Sequence, residues 1–478
     1  MEIPQTIIRS RILSRDAPVD SAGVLFWVVF NFCLCYIEFI IEKAGVFMGK
    51  TKTSPKFWAA LVIFSLVGQI AWVMENMYFN VFIYKMFGAS AEAISSMVAA
   101  SAVAATVTTL LVGAFSDKIG KRKLFICGGY ILWGISILSF ALVRVDVIGK
   151  LFPYASAAAV GVSITIILDC VMTFFGSSAN DACFNAWLTD STDETNRGAV
   201  EGINSMMPLL AILAVFGGFM GFDLGKQESW AAIFIIIGTV VTVLGIAGFW
   251  LISEPKLDTR GNENYFKNLF YGFLPKVVKE NPTLYLALAA YAVFGIAIQI
   301  FMPYLILYYT VTLGMDNYVL IFAPAIVLAA AFTFFYGKQY DKVGFRKAVV
   351  APLALLMAGF VLLYCFRSTV PVFVGSLAMM CGYLSGMAMF GAIIRDKTPV
   401  GKAGMFQGLR IVGQVLIPGV IGPAIGAAVL KNAETILNDD GTTSFIPNRN
   451  IFLAALIAAI FIWAVLIPLF KRLKKENV

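Results

Sequence analysis

The segment Gly113–Lys123 reads GAFSDKIGKRK, and Gly337–Lys347, 224 residues later, reads GKQYDKVGFRK. Both fit the pattern G-x-x-x-D-K-x-G-x-R-K. A second pair, DSTDETNRGAVEG at Asp190–Gly202 and DKTPVGKAGMFQG at Asp396–Gly408, fits D-x-T-x5-G-x-x-[E/Q]-G at an offset of 206 residues. Two independent motifs that recur in the same order predict two structurally similar halves, related as parallel repeats.

The composition places these halves in a lipid bilayer. Of 478 residues, 60% are hydrophobic and 13% are charged, and the mean hydropathy is +0.84. A soluble domain with this balance would lack the polar surface that water requires. The apolar residues also form unbroken runs of about 20, the length of a membrane-spanning helix. They lack the alternation of a barrel strand, so we expect an all-α membrane protein.

The apolar runs predict twelve transmembrane helices as two six-helix bundles. The helices are expected near residues 57–84, 91–115, 123–144, 154–182, 200–223, 229–252, 283–310, 318–336, 347–366, 370–394, 404–429 and 450–470. The corresponding segments are an N-terminal extension with an extra apolar run (1–47), an N-terminal bundle (48–252), a cytoplasmic linker (253–281), a C-terminal bundle (282–470) and a basic tail (471–478). We interpret residues 1–47 as dispensable or as the product of an upstream start site.

The distribution of cations predicts the orientation. Loops after even-numbered helices, with the C-terminal tail, hold 21 Lys and Arg residues, whereas loops after odd-numbered helices hold seven. The positive-inside rule therefore places the even loops and the C-terminus in the cytoplasm, and we expect the cell membrane as the location. This arrangement accounts for the net charge of +8 without nucleic acid.

Histidine is absent, and the seven cysteines lie in or beside apolar spans without ligand spacing. These observations argue against a metal site and against an enzyme. We expect no cofactor, and any ion coupling must then rest on carboxylates.

The repeated motif predicts a conformational latch at the cytoplasmic surface. Its first glycine permits close helix approach, its aspartate can accept hydrogen bonds from a helix N-terminus or pair with arginine, and its basic cluster suits the anionic inner leaflet. The alternative is an ordinary charged turn. The predicted latch residues are Gly113, Asp117, Gly120, Arg122, Gly337, Asp341, Gly344 and Arg346.

This doubled motif within six plus six helices resembles the major facilitator superfamily of secondary transporters. The segment Asp181–Arg197, DACFNAWLTDSTDETNR, is similar to the end of the fourth helix and the following loop in the glycoside–pentoside–hexuronide:cation symporters, the melibiose permease group. The resemblance implies cation-coupled sugar import, with Asp181 at the cation site. Residues 93–116 contain none of the second-helix carboxylates that bind sodium in that group, so proton and sodium both stay open.

Charged residues inside the spans indicate where a site lies. An unpaired charge at mid-membrane is costly, so Glu75 must face a cavity, be paired or be protonated. Trp72 and Phe79 share its helix face by the i, i+3/i+4 rule, and a carboxylate beside aromatic rings suits a sugar. Gln299 lies at the repeat offset from Glu75, and we expect the two to face each other across a central cavity. The alternative for this pair is a structural hydrogen bond between helices.

Two further acids are candidates for ion coupling. Asp169 lies deep in the fourth helix, where low dielectric favours a neutral carboxyl, and Asp181 lies nearer the cytoplasm. With Glu75 they form the predicted cation-coupling set, although structural pairing would also explain them. In the eleventh helix, Gln414 is a candidate substrate contact and Arg410 a candidate charge partner, unless Arg410 snorkels to the surface.

These features predict a secondary active transporter that imports a sugar or glycoside with protons or sodium by alternating access. The partners would be a small-molecule substrate and the bilayer, with no nucleic acid, and the protein is expected to be a monomer. The alternative is a proton-coupled exporter of drugs or hydrophobic metabolites. Only the glycine-proline run GVIGPAIG at Gly419–Gly426 favours it, and this run also reads as a kink for close packing.

Overall fold

The protein is described from a computed structural model covering residues 54–192, 196–254, 270–315, 317–399, 406–437 and 443–476. Long helices dominate the described residues. Counting π and 3-10 turns as parts of the helices they interrupt, the helices are α1 Pro55–Phe87, α2 Ala91–Ile119, α3 Arg122–Leu142, α4 Ala157–Asp190, α5 Arg197–Phe219, α6 Gln227–Leu251, α7 Pro282–Thr312, α8 Val319–Ala348, α9 Val350–Cys365, α10 Thr369–Lys397, α11 Gly408–Leu430 and α12 Asn450–Glu476.

Eleven helices in this part of the chain are long and apolar enough to cross a membrane. The remaining one, α5, has a shorter apolar stretch, Met206–Phe219. Serine N-caps account for where several helices begin, since the Ser54, Ser90 and Ser156 side chains each accept a backbone N–H from the first turn of α1, α2 and α4. The predicted fold class, two six-helix bundles, is confirmed. The N-terminal extension 1–47 and most of the linker (255–269) lie outside the described residues.

The repeated motif places a glycine with a positive φ at the same position in both halves. Gly120 has φ 70° and directly follows α2, whereas Gly344 has φ 74° and kinks α8 four residues before its end. Such positive φ angles favour glycine because it has no Cβ. The motif therefore belongs mainly to the ends of α2 and α8, not to the loops where the sequence placed it. Both helices extend beyond their predicted ends, because charged residues at a bilayer surface can be helical and still reach water.

Helix packing follows the two-bundle plan. In the N-terminal half α3 packs on α6 and α1 on α5, where the Ser65 hydroxyl donates to Asn204 Oδ1 at 2.8 Å. In the C-terminal half α7 packs on α12 and α9 on α10. The halves meet along α2 and α11, where a Cβ added at Gly419 would lie 2.6 Å from the Ala102 Cβ. The glycine-proline run thus allows close helix packing.

The two ends of the molecule differ in how the halves meet. We call the end with the repeated motifs the motif face and the other end the far face. Among the described residues, three hydrogen bonds join the halves, and all lie toward the far face. They connect the Tyr78 and Tyr318 hydroxyls at 2.8 Å, the Tyr304 hydroxyl to the Ala91 carbonyl at 3.0 Å, and the Tyr84 hydroxyl to the Phe445 carbonyl at 2.5 Å.

A small β-hairpin covers part of the far face between α11 and α12. Its strands, β1 Thr435–Leu437 and β2 Thr443–Phe445, pair antiparallel, with Thr435 opposite Phe445. The structure is therefore closed at the far face.

Candidate functional site

Glu75 lies within a π-helical segment, Met74–Tyr78, that interrupts α1. A π turn inserts an extra residue into a helix and occurs frequently at functional sites. Asp181 lies in a second such segment, Ser177–Phe184 in α4, and Gln414 in a third, Val412–Leu416 in α11. Three of the predicted site residues thus occupy irregular turns, which the apolar pattern of the sequence does not reveal.

The Glu75 carboxylate faces α2 and α4 within the N-terminal half. Its Oε1 accepts hydrogen bonds from the Ser101 hydroxyl at 2.5 Å and from the Thr173 hydroxyl at 2.9 Å. These two hydroxyls lie 2.9 Å apart. The other oxygen, Oε2, is buried and has no hydrogen-bond partner. Glu75 is therefore held firmly by one oxygen and presents the other unpaired.

Asp169, on α4, is the second acid of this site. It is 1% exposed, its Oδ1 has no hydrogen-bond partner, and its charge interacts with that of Glu75. No ion pair among the described residues involves either carboxylate. Two buried carboxylates whose charges repel each other are costly to ionise together, so a proton or another cation bound at this pair would stabilise it.

Asp181 lies on the same helix, nearer the motif face, and is only partly buried. The Ser177 hydroxyl donates to its Oδ2 at 3.0 Å and the Asn180 amide to its Oδ1 at 3.3 Å. The Trp72 indole N–H lies near this carboxylate without making a hydrogen bond of good geometry. Trp72 therefore lies beside Asp181.

Asn180, which precedes Asp181, is held by a second hydrogen bond. The Tyr130 hydroxyl donates to Asn180 Oδ1 at 2.9 Å, and a Cβ added at Gly68 would lie 2.7 Å from both oxygens. Sequence reasoning missed Ser101 and Tyr130. Their only signal was a polar atom within an apolar span, which is common in membrane helices.

Phe79 does not share the environment of Glu75. It is fully buried against Phe140 of α3 and Phe234 of α6, with ring centroids 4.6 and 5.7 Å away. The predicted shared face assumed a regular α-helix, and the π turn at Met74–Tyr78 changes the angular relation between the two side chains. The structure therefore places Phe79 in the core of the N-terminal half and not beside the acids.

The C-terminal candidates are not brought to the acids by any contact among the described residues. Gln299 packs on α11, where a Cβ added at Gly422 would lie 2.4 Å from the Gln299 Cβ. Gln414 is half-buried. Arg410 is also half-buried, and its charge acts on Tyr291 of α7. The roles predicted for these three residues stay predictions.

The predicted latch residues make contacts within the halves. Arg122 is 5% exposed, and it donates from Nε to Asp190 Oδ2 at 3.0 Å and from an NH group to the Ser116 hydroxyl at 2.6 Å. The equivalent Arg346 is exposed, and a Cβ added at Gly337 would meet nothing within 4 Å. The close approach expected at Gly337 is thus absent in this conformation, in which the hydrogen bonds between the halves, among the described residues, lie toward the far face.

The predicted latch also includes Gly113, Asp117 and Asp341. Gly113 lies in the last turns of α2. The side chains of Asp117 and Asp341 lie outside the described part of the structure. Among the described residues, no three His, Cys, Asp or Glu side chains form a group that could hold a metal ion.

Two six-helix bundles, the first of which contains a buried acidic cluster, make up a multi-pass membrane protein. Residues 57–423 match the family model of the Major Facilitator Superfamily, and the chain belongs to this superfamily. It is a transporter and not an enzyme. A search of curated proteins finds no significant match.

Solved transporters share the fold. A bacterial homologue of the human lysosomal transporter Spinster, inward-facing and unoccupied, is 15% identical, with a TM-score of 0.62 over 86% of this chain and 96% of that one. The nucleoside transporter NupG is 12% identical, with a TM-score of 0.65 over 86% and 98%. A D-xylose–proton symporter is 14% identical, with a TM-score of 0.61 over 85% and 97%. At these identities the likeness concerns the fold alone.

Proposed function

We propose that this transporter imports a sugar or glycoside together with protons by alternating access. The observation that carries the proposal is the Glu75–Asp169 pair, in which each carboxyl is buried and has a buried oxygen without a hydrogen-bond partner. A single proton shared between the two acids would relieve their repulsion at the smallest structural cost. Release of that proton in one conformation and its capture in the other would couple a proton gradient to transport.

The geometry favours a proton over sodium at this pair. An alkali cation needs several oxygen ligands arranged around it, as hard cations do generally. Here Glu75 Oε1 is already engaged by two hydroxyl donors, whereas Glu75 Oε2 and the Asp169 carboxylate accept no hydrogen bond from the described residues. A shared proton needs only two of these oxygens. It is bound to one of them, and the other accepts its hydrogen bond.

The chemistry beside the acids favours a polyhydroxyl solute. Trp72 offers an aromatic surface and an indole N–H next to Asp181, a combination that can pack on the ring of a sugar and bind its hydroxyls. The D-xylose–proton symporter and the nucleoside transporter that share the fold are named for ring-bearing solutes with hydroxyl groups. Asp181 would act as the acid nearest the substrate, while the Glu75–Asp169 pair carries the proton.

The orientation completes the proposal. The motif face carries the basic loops and the C-terminal tail, so we place it in the cytoplasm of a cell membrane. The structure then represents a state closed to the outside, as in the inward-facing Spinster homologue with which it shares its fold.

The test is uptake of labelled sugars, disaccharides and nucleosides into proteoliposomes under an imposed proton or sodium gradient. We compare the wild type with Glu75→Gln and Asp169→Asn, using Glu228→Gln as a matched control because the Glu228 side chain is 76% exposed. The expected result is accumulation under a proton gradient, lost in both site variants and kept in the control.

A second assay separates coupling from binding. Exchange of substrate across the membrane without a gradient should persist in Glu75→Gln, because an amide imitates the protonated acid. Sodium-driven uptake would contradict proton coupling. If no sugar or nucleoside is taken up and hydrophobic compounds are exported instead, the proposed substrate and direction of transport are contradicted.

A further inference from the structure

The β1–β2 hairpin belongs to the C-terminal half by its chain connections. Its base is closed by a hydrogen bond from the Ile446 N–H to the Glu434 carbonyl at 2.7 Å. The Thr312 hydroxyl at the end of α7 donates to the Pro447 carbonyl, which ties the chain after β2 to this half. The hairpin is thus anchored to the C-terminal bundle on both sides.

Phe445 of the hairpin reaches the N-terminal half, and the Ser444 side chain beside it also lies near the Tyr84 hydroxyl. The Tyr84 hydroxyl of α1 donates to the Phe445 carbonyl at 2.5 Å, and the two rings meet edge to face with centroids 5.2 Å apart. On its other side the Phe445 ring lies 6.2 Å from the ring of Tyr304, whose hydroxyl donates to the Ala91 carbonyl of α2. Phe445 is 8% exposed. It therefore fills the junction between the halves.

The contact has two separable parts. The hydrogen bond runs to a backbone carbonyl, so replacing the Phe445 side chain leaves its acceptor in place. The ring contact depends on the side chain and survives removal of the Tyr84 hydroxyl. Each part holds together two elements that belong to different bundles, and each is lost when the bundles separate at the far face.

We propose that the hairpin is a strap that keeps the far face closed, with Phe445 as the residue that must leave Tyr84 before this face can open. The proposal rests on the alternating-access function proposed above and adds a residue that sets the balance between its two states. A contact present in one state alone shifts the equilibrium toward that state by the free energy of the contact.

Distances between spin labels on the full-length chain in lipid nanodiscs test the strap. The labels are placed at Lys150→Cys in the N-terminal half and Thr369→Cys in the C-terminal half. Both positions are exposed near the far face, and the native cysteines are replaced. In the parent chain we expect mostly the short distance of the closed state.

Phe445→Ala should raise the ratio of long to short distances by about 10-fold, the equivalent of one aromatic contact. Tyr84→Phe removes only the hydroxyl and should raise the same ratio by about 3-fold. Leu437→Ala is the matched control, because Leu437 lies on the same hairpin and is 71% exposed. It should leave the distances unchanged.

Unchanged distances in a monodisperse Phe445→Ala sample would overturn the strap. If Phe445→Ala fails to fold, the distances in Tyr84→Phe provide the test. Unchanged distances in Tyr84→Phe would contradict the proposed role of the hairpin. The measurement requires neither substrate nor gradient. A wrong substrate or coupling ion therefore shows in the uptake assay and leaves the distance result unaffected.

Discussion

The two halves repeat each other in their motifs and differ in where they bury charge. Gly120 and Gly344 both have a positive φ at the same motif position, although ψ is 20° at Gly120 and 165° at Gly344. At the offsets set by the motifs, Glu75 corresponds to Gln299 and Asp169 to Gly375, so the C-terminal half has no acid at either place. The repeat accounts for the fold, and under the proposed function the departures from it assign ion coupling to the N-terminal half.

The motif face shows a second asymmetry. In the N-terminal half Arg122 is buried and binds both Asp190 and Ser116. In the C-terminal half Arg346 is exposed, and Asp396 instead accepts a hydrogen bond from the Tyr340 hydroxyl. Tyr340 corresponds to Ser116 and Asp396 to Asp190. The second motif is tied to the first in each half, through a charge in one and a phenol in the other.

The largest effect is expected when the buried acid Glu75 is removed from the N-terminal half and a glutamate is placed at the equivalent position of the C-terminal half. We expect Glu75→Gln to reduce gradient-driven accumulation to the level of empty liposomes, because the buried pair then loses one titrating group. Adding Gln299→Glu to that variant should not restore uptake. Gln299 packs on Gly422 of α11, and no acid lies at the position that corresponds to Asp169. Uptake that recovers in the double variant would show that either half can carry the coupling acid.

The sequence predicted the fold well because its signals are strong and local. Apolar runs set the helices, and two motifs at fixed offsets set the repeat. It also singled out Glu75, Asp169 and Asp181 as candidate site residues, because charges inside apolar spans are rare and costly. The structure then brings Glu75 and Asp169 into interaction on neighbouring helices. Which protein groups complete such a site depends on helix packing, and Ser101 and Thr173 could not be assigned to Glu75 from spacing alone.

The misplacement of Phe79 has a different cause. Helical-wheel reasoning holds only while the helix keeps 3.6 residues per turn, and the π turn at Met74–Tyr78 breaks that rule beside Glu75. The helix ends were misplaced for another reason: the motif residues continue α2 and α8 up to Gly120 and Gly344. Hydropathy marks the apolar core of a helix but not its solvated ends.

A glycine offers the next test of the asymmetry. A Cβ added at Gly68 would lie 2.7 Å from Asn180 Oδ1 and the Tyr130 hydroxyl, whereas the C-terminal half has Ala292 at the same offset. We expect Gly68→Ala to destabilise the protein by about 3 kcal/mol, because it overpacks a buried polar contact. Thermal unfolding in detergent micelles measures the effect. Gly128→Ala is the matched control, since a Cβ there would meet nothing within 4 Å.

The arginines of the motif allow a smaller but cleaner comparison. Arg122→Gln should lower stability by about 2 kcal/mol, because it leaves the partly buried Asp190 without its charged partner. Arg346→Gln makes the equivalent change at an exposed position and should stay within about 0.5 kcal/mol of the parent chain. Unfolding midpoints measured side by side test the difference. Equal losses in the two variants would mean that burial does not distinguish the two motif copies.

The smallest effect concerns the two hydroxyls that occupy equivalent positions. Ser116 is fully buried and accepts from Arg122 at 2.6 Å, while the hydrogen bond between Tyr340 and Asp396 is exposed. Ser116→Ala should therefore cost about 1 kcal/mol and Tyr340→Phe about 0.5 kcal/mol or less, because an exposed bond is exchanged for one with water. Unfolding midpoints again give the ranking. A larger loss in Tyr340→Phe would place the stabilising contact of the motif face in the C-terminal half, the reverse of the order that burial predicts.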